Sequence, residues 1–312
     1  MNNYSFVTYS KSIVSFTILI SKSSMLSVRE SFAKPKQITL TVRNVSFPNK
    51  DPGVTDLNFH KIRRERTIKM SVEESAIILI DLWDAENKRL PCNQLFEKII
   101  VQKIAPLLKA ARETNMVVIH APHRQIGWDG ICRQKSLDLR GPTDTPRSEL
   151  PKWVKNKEIS PLQWPTVEFV FRVGEYSRYS RFSNPNYIPY TQIRGIHKAV
   201  LPMKRDREYI ASNRKRVQSI LRKHRVLHLF YAGFATNQCV LNRPIGIRNM
   251  SMIRYNVMIL RDATIGSEFG NTWKNLDITK GAIADIEINY GFSTTVDALL
   301  KELCRIRKIY FD

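Results

Sequence analysis

Val226-Leu-His-Leu-Phe-Tyr-Ala-Gly-Phe-Ala-Thr-Asn-Gln-Cys-Val240 decides how the rest of the chain is read. Its first half, residues 226–232, is an apolar run of strand length, the pattern of a strand buried on both faces of a parallel sheet. Gly233 interrupts that run. Thr236 or Asn237 is then placed to cap a helix with Cys239 in its first turn. A thiol there would face backbone N–H groups and the positive end of the helix dipole, both of which favour the thiolate. The plain alternative is a small buried core cysteine, the common fate of an intracellular cysteine.

Working outward, strand and helix patterns alternate from residue 71 onward. Residues 75–82, 116–121, 167–173, 200–203, 256–260 and 292–296 read as strands beside the central one. Helices are expected over 93–115, 207–224, 279–289 and from about 297 to 307. This alternation implies an α/β fold, a three-layer α/β/α sandwich with a mostly parallel central sheet. Residues 38–45 alternate in polarity and read as an edge strand or hairpin arm. The apolar run at 12–20 is too short to span a bilayer and lacks a signal-peptide cleavage site. The expected organisation is an N-terminal extension over 1–69, partly disordered or contributing edge strands, followed by one α/β domain over 70–312. Within it, residues 127–165 hold Trp128, Trp153 and Trp164 and are too long for an idle connection, so a lid or subunit-contact insertion is expected.

Composition narrows the class. The chain has 312 residues, 43% of them hydrophobic, enough for a substantial core. Its four cysteines (Cys92, Cys132, Cys239 and Cys304) are widely separated, without C-x-x-C pairs. That argues against a zinc module and against a disulfide framework, and a reducing, cytoplasmic setting is expected. Fifty Lys and Arg against 28 Asp and Glu give a net charge of +22. The basic residues are scattered, however, without the interleaved aromatics of a single-strand binder. They read as solvated faces, and neither a nucleic-acid nor a membrane partner is expected.

Chemistry in open parallel α/β folds sits at the carboxyl ends of strands. Asp81 ends the first strand, Lys204 follows the strand expected at 200–203, and Cys239 follows the central one. A carboxylate beside the thiol can take its proton, an ammonium can hold the carboxylate ionised, and backbone N–H groups at the turn can receive an oxyanion.

Three segments carry a resemblance. Ala76-Ile-Ile-Leu-Ile-Asp81-Leu-Trp, the Lys204 segment and Ala232-Gly-Phe-Ala-Thr-Asn-Gln-Cys239-Val resemble, in this order, the signatures of the isochorismatase-like cysteine hydrolases. That superfamily includes nicotinamidases, N-carbamoylsarcosine amidases and ureidoacrylate amidohydrolases. The resemblance spans roughly residues 70–303 and implies Asp81 as general base and acid, Lys204 as electrostatic partner and Cys239 as nucleophile. It further implies a non-proline cis peptide before Ala235, an oxyanion hole from the N–H groups of Ala235 and Cys239, and a homodimer or homotetramer. The substrate would be a small amide or ureido compound. Trp83, His120, His123 and Tyr209 are candidate pocket residues, since each lies near a strand end. Nicotinamidases carry an Asp-x-His plus His metal site, whereas this chain has His120-Ala-Pro-His123 without the Asp, so neither a metal nor a cofactor is expected. The alternatives are vinyl-ether hydrolysis with Asp81 as the acid, and an idle member that binds polyanions through its basic surface.

Overall fold

Residues 36–46, 62–85, 89–123, 126–131, 149–150, 164–180 and 193–310 are described by a computed structural model. Expectations for residues 1–35 and for most of the 127–165 insertion lie outside these. Strand β1 (Gln37–Ser46) buries Ile38, Leu40 and Val42 at alternate positions. It pairs antiparallel with β2 (Ile62–Ser71) from Gln37↔Ser71 to Ser46↔Ile62. The remaining strands are β3 (Ser75–Ile80), β4 (Trp83–Ala85), β5 (Val117–Ala121), β6 (Ile193–Ile196), β7 (Glu208–Ile210), β8 (His228–Phe234), β9 (Asn256–Ile265) and β10 (Phe292–Thr294).

Eight strands form one sheet in the order β2-β1-β10-β9-β8-β3-β5-β7, and β4 and β6 form a separate antiparallel pair. The stretch from β10 to β7 is parallel throughout, and the β1–β2 arm closes one edge antiparallel. Residues Lys36–Asp312 make one compact unit. The boundary expected at 69/70 therefore falls inside β2, whose residues belong to the sheet.

The alternation of β3 shows the three layers. Ile77 and Leu79 face a core with helices α1 (Pro91–Ile99), α2 (Ala105–Glu113) and the C-terminal helix. Ile78 and Ile80 face a second core, built with the helices that follow β7, Cys239 and β9. In chain order these later helices are α3 (Val167–Val170), α4 (Arg214–Lys223), α5 (Ile247–Met252), α6 (Asp277–Asn289) and the C-terminal α7 (Val296–Tyr310). All six residues of β3 are buried, as a strand covered on both faces requires. Burying each Ile or Leu stabilises by about 1.5–3 kcal/mol, which makes β3 and β8 the rigid centre of the molecule.

Two strand expectations fail. Residues 167–170 form a helical turn, because Thr166 Oγ1 accepts from Phe169 N and caps it. Residues 200–203 form no strand either. A 3₁₀ turn (Lys198–Val200) precedes an irregular run, and Pro202, which cannot donate to a ladder, sits within it. The strand there is β7, beginning four residues beyond Lys204. No helix of the described residues is long and apolar enough to cross a membrane.

Candidate active site

The carboxyl ends of β3 and β8 lie side by side, with Ile80 opposite Gly233. A Cβ on Gly233 would sit 1.8 Å from the Ile80 carbonyl oxygen, and its φ is +121°, so only glycine lets the two strand ends approach. Asp81, the first residue after β3, has φ 52°, an uncommon backbone state that Asp tolerates better than most. Beyond Gly233 the Phe234–Ala235 peptide bond is cis. Phe234 is held from below by Phe96, with ring centroids 4.4 Å apart.

A π-helical turn, Thr236–Val240, carries Cys239. Neither expected side chain caps it. Thr264 Oγ1 donates to the Gly233 carbonyl at 2.7 Å, which leaves the Thr236 hydroxyl to donate to Thr264 at 2.6 Å. Asn237 Oδ1 instead accepts from Ser267 N. These bonds fasten the turn to β9.

Asp81, Cys239 and His123 meet here. A carboxylate oxygen, Sγ and a ring nitrogen lie within 4.8 Å of one another. The cation on the carboxylate is Arg243, one helical turn past Cys239: its Nη2 donates to Oδ2 at 2.6 Å and Oδ1 at 2.9 Å, and its Nη1 to the Ala121 carbonyl at 2.9 Å. The Asp81 side chain is 0% exposed and that of Arg243 12%. Burial pushes the Asp81 carboxyl up to about 6, against the pull of Arg243 and of hydrogen bonds from the Cys239 thiol and the His123 N–H. The Cys239 thiol is raised to about 11, first by burial and then by the Asp81 charge, with Arg243 opposing. At neutral pH the resting pair is thus a protonated thiol donating to a carboxylate. That corrects the expectation of a thiolate favoured by the helix dipole: burial and one adjacent anion outweigh the turn's N–H groups. Cys239 is free and half-buried.

The structure does not bring Lys204 to this group. Lys204 is exposed and lines a cleft with Trp128, Arg205, Asp206, Glu208, Tyr209 and Arg216. Its neighbours Arg205 and Arg207 donate to the carbonyls of Arg112 and Glu73, both at the amino ends of the parallel strands. The segment therefore sits at the opposite end of the sheet from Asp81, because it enters β7 rather than leaving a strand. The residue that follows β7 at the Asp81 end of the sheet is Ala211, which carries no charge.

The other pocket candidates divide. His123 belongs to the cluster. Trp83 is half-buried, packs edge-on against Phe96 and, with His123, Pro122 and Ile126, lines a narrow pocket beside Asp81. His120 points elsewhere: it is buried, with Nε2 2.8 Å from Glu208 Oε1, and burial lowers its pKa while Glu208 pulls it up. Tyr209 donates to the Asp206 carbonyl and lies 2.7 Å from His224 Nε2, in the Lys204 cleft.

No protein-family model matches the chain, and no curated protein matches it. Several solved structures resemble it. A cysteine hydrolase from Pseudomonas syringae pv. phaseolicola 1448A is 18% identical over 76% of this chain and 95% of that chain, with a TM-score of 0.45. An isochorismatase from Pseudomonas putida KT2440 is 14% identical over 73% of this chain and 91% of that one, with a TM-score of 0.42. A nicotinamidase from Bacillus subtilis is 14% identical over 69% and 96%, with a TM-score of 0.39. The chain is similar to isochorismatase-type hydrolases.

Sequence reasoning missed Arg243. Its signal is the i, i+4 spacing from Cys239, which places both side chains on one helical face. In a chain with 50 basic residues, one more arginine does not stand out until its carboxylate is found.

Proposed function

We propose that this protein is an isochorismatase-like cysteine hydrolase that cleaves the C–N bond of a small amide or ureido compound, with Cys239 as nucleophile and Asp81 as its proton acceptor. The observation that supports this is the buried Asp81 carboxylate, held by Arg243 and accepting from a half-exposed thiol at the carboxyl ends of β3 and β8. A carboxyl near pKa 6 is ionised at pH 7 yet basic enough to take a proton, the compromise general catalysis favours.

Because the thiol rests protonated, its proton moves to Asp81 as sulfur attacks the carbonyl carbon. The developing oxyanion is received by the N–H groups of Ala235 and Cys239; one such donor is worth about 10²–10³ in rate. Collapse of the tetrahedral intermediate breaks the C–N bond, and Asp81 returns the proton to the leaving nitrogen. Ammonia departs from a primary amide; from a ureido compound attacked at its urea carbonyl the substituted amine departs, and the carbamoyl thioester left on Cys239 gives carbamate when water cleaves it. Water, deprotonated by Asp81, then hydrolyses the thioester and regenerates the thiol. Arg243 fills the electrostatic role that the resemblance gives to Lys204, holding both oxygens of Asp81 and fixing their direction.

The test is an ammonia-release screen over small amides and ureido compounds with wild type and Cys239→Ala. Release by wild type alone supports the reading; equal release by both, or pyruvate from a vinyl ether with no ammonia from any amide, removes it.

A further inference from the structure

We infer that Asp81, His123 and Cys239 also bind a thiophilic divalent cation such as Zn²⁺, and that this occupancy switches hydrolysis off. The binding half stands on geometry alone, and the switching half rests on the hydrolase reading.

Sulfur, imidazole nitrogen and carboxylate oxygen make the mixed donor set that zinc takes, and three protein ligands leave a fourth position for water. The three donor atoms lie within 4.8 Å of one another. Bonds of about 2.0–2.3 Å in a tetrahedron require ligand separations of roughly 3.3–3.8 Å, so closure needs about 1 Å of movement. Rotation of side chains at the edge of the site can supply it: His123 is exposed on the segment after β5, and Cys239 is half-buried in a short turn. Asp81 already gives two oxygens to Arg243, but a carboxylate has about four lone-pair positions and can bridge a guanidinium and a metal. His120 takes no part, since its Nε2 is committed to Glu208.

On binding, the S–H bond breaks, sulfur donates its electron pair to the cation, and the proton leaves to solvent. The metal thiolate has lost the lone pair that attacks the carbonyl, and Asp81 has lost the oxygen that accepts the proton. Arg243 beside the site repels the cation, which favours an exchangeable ion over a permanent structural one. The sequence expectation of no metal weighed the scattered cysteines and the His120–His123 segment separately; the structure puts His123 beside Cys239 and Asp81.

The experiment titrates the metal-free full chain with Co²⁺, a coloured stand-in for Zn²⁺. One equivalent should bind with a thiolate-to-cobalt charge-transfer band that Zn²⁺ then displaces. Cys239→Ser, which keeps Cys92, Cys132 and Cys304, should abolish the band, and His123→Ala should weaken binding by about 100-fold. Both variants should keep the wild-type circular dichroism, which separates lost ligation from lost fold. Absence of the band, its persistence in Cys239→Ser, or unchanged affinity in His123→Ala overturns the site. Should the band appear in a protein that hydrolyses no amide or ureido compound, the cation site stands and the hydrolase reading falls. Hydrolysis that continues unchanged at saturating Zn²⁺ overturns the switch.

Discussion

Two buried carboxylates, each gripped by an arginine, sit at opposite ends of the same sheet and are tuned in opposite directions. Glu208, at the amino end, borders the Lys204 cleft and receives two bonds from Arg112 (2.6 and 3.0 Å), one from His120 and one from the Met203 N–H. Burial opposes its ionisation, but these donors outweigh it and bring the carboxyl down to about 2. Asp81, at the carboxyl end, has Arg243 on both oxygens, the backbone N–H of His123 and a weak thiol donor, and there burial wins, raising the carboxyl to about 6. Saturating an acid with donors makes it a structural anchor. Letting burial outweigh the donors, beside a thiol, suits it to take a proton.

The largest expected effect is on the nucleophile. Cys239→Ala should lower turnover by on the order of 10⁴-fold or more, measured as ammonia release, with little change in melting temperature. Asp81→Asn should cost about 10²–10⁴ in kcat/KM, while stability at pH 7 should be unchanged or raised, because the fold already disfavours the ionised carboxyl that Asn replaces. Activity in wild type should rise with pH through about 6, as Asp81 loses its proton. Arg243→Ala removes a charge that favours the ionised carboxyl, so the same limb should move to higher pH.

Glu208→Gln breaks the contrast from the other side. It should destabilise by about 2–3 kcal/mol, because buried donors lose a charged acceptor, while kcat/KM stays within about threefold. The pH dependence of stability should carry opposite signs at the two acids. Glu208, depressed in the fold, contributes stability above its ordinary value of 4.5 that is lost as pH falls towards about 2. Asp81, raised in the fold, contributes below its ordinary value of 3.8, and that contribution is lost as pH rises through about 6. Thermal melts of wild type and Asp81→Asn across pH 4–7 read the second directly. The smallest effect belongs to Lys204→Ala: an exposed side chain away from Asp81 should change turnover less than about twofold and stability by less than about 0.5 kcal/mol.

How much of this was legible depended on whether a residue's role is written locally. The apolar runs of β3, β5 and β8 are buried on both faces and announce themselves, as does Gly233, whose lack of a side chain the strand contact requires. Asp81 and Cys239 follow those runs directly, so locating the strands located the residues. Lys204 was misplaced because Val200-Leu-Pro-Met203 is apolar without being a strand, which reversed the end of the sheet at which it lies. Arg243 and the Glu208 cluster depend on contacts between distant segments, such as Arg112 with Glu208, which no local pattern encodes.

The most direct test of Cys239 as a nucleophile served by Asp81 is mass spectrometry of protein quenched in acid during turnover of an amide identified by the screen. A thioester adduct of the substrate's acyl mass on the peptide containing Cys239 is the expected result, and it should disappear in Asp81→Asn. Continued turnover with no adduct on that peptide, or an adduct on another residue, would contradict it.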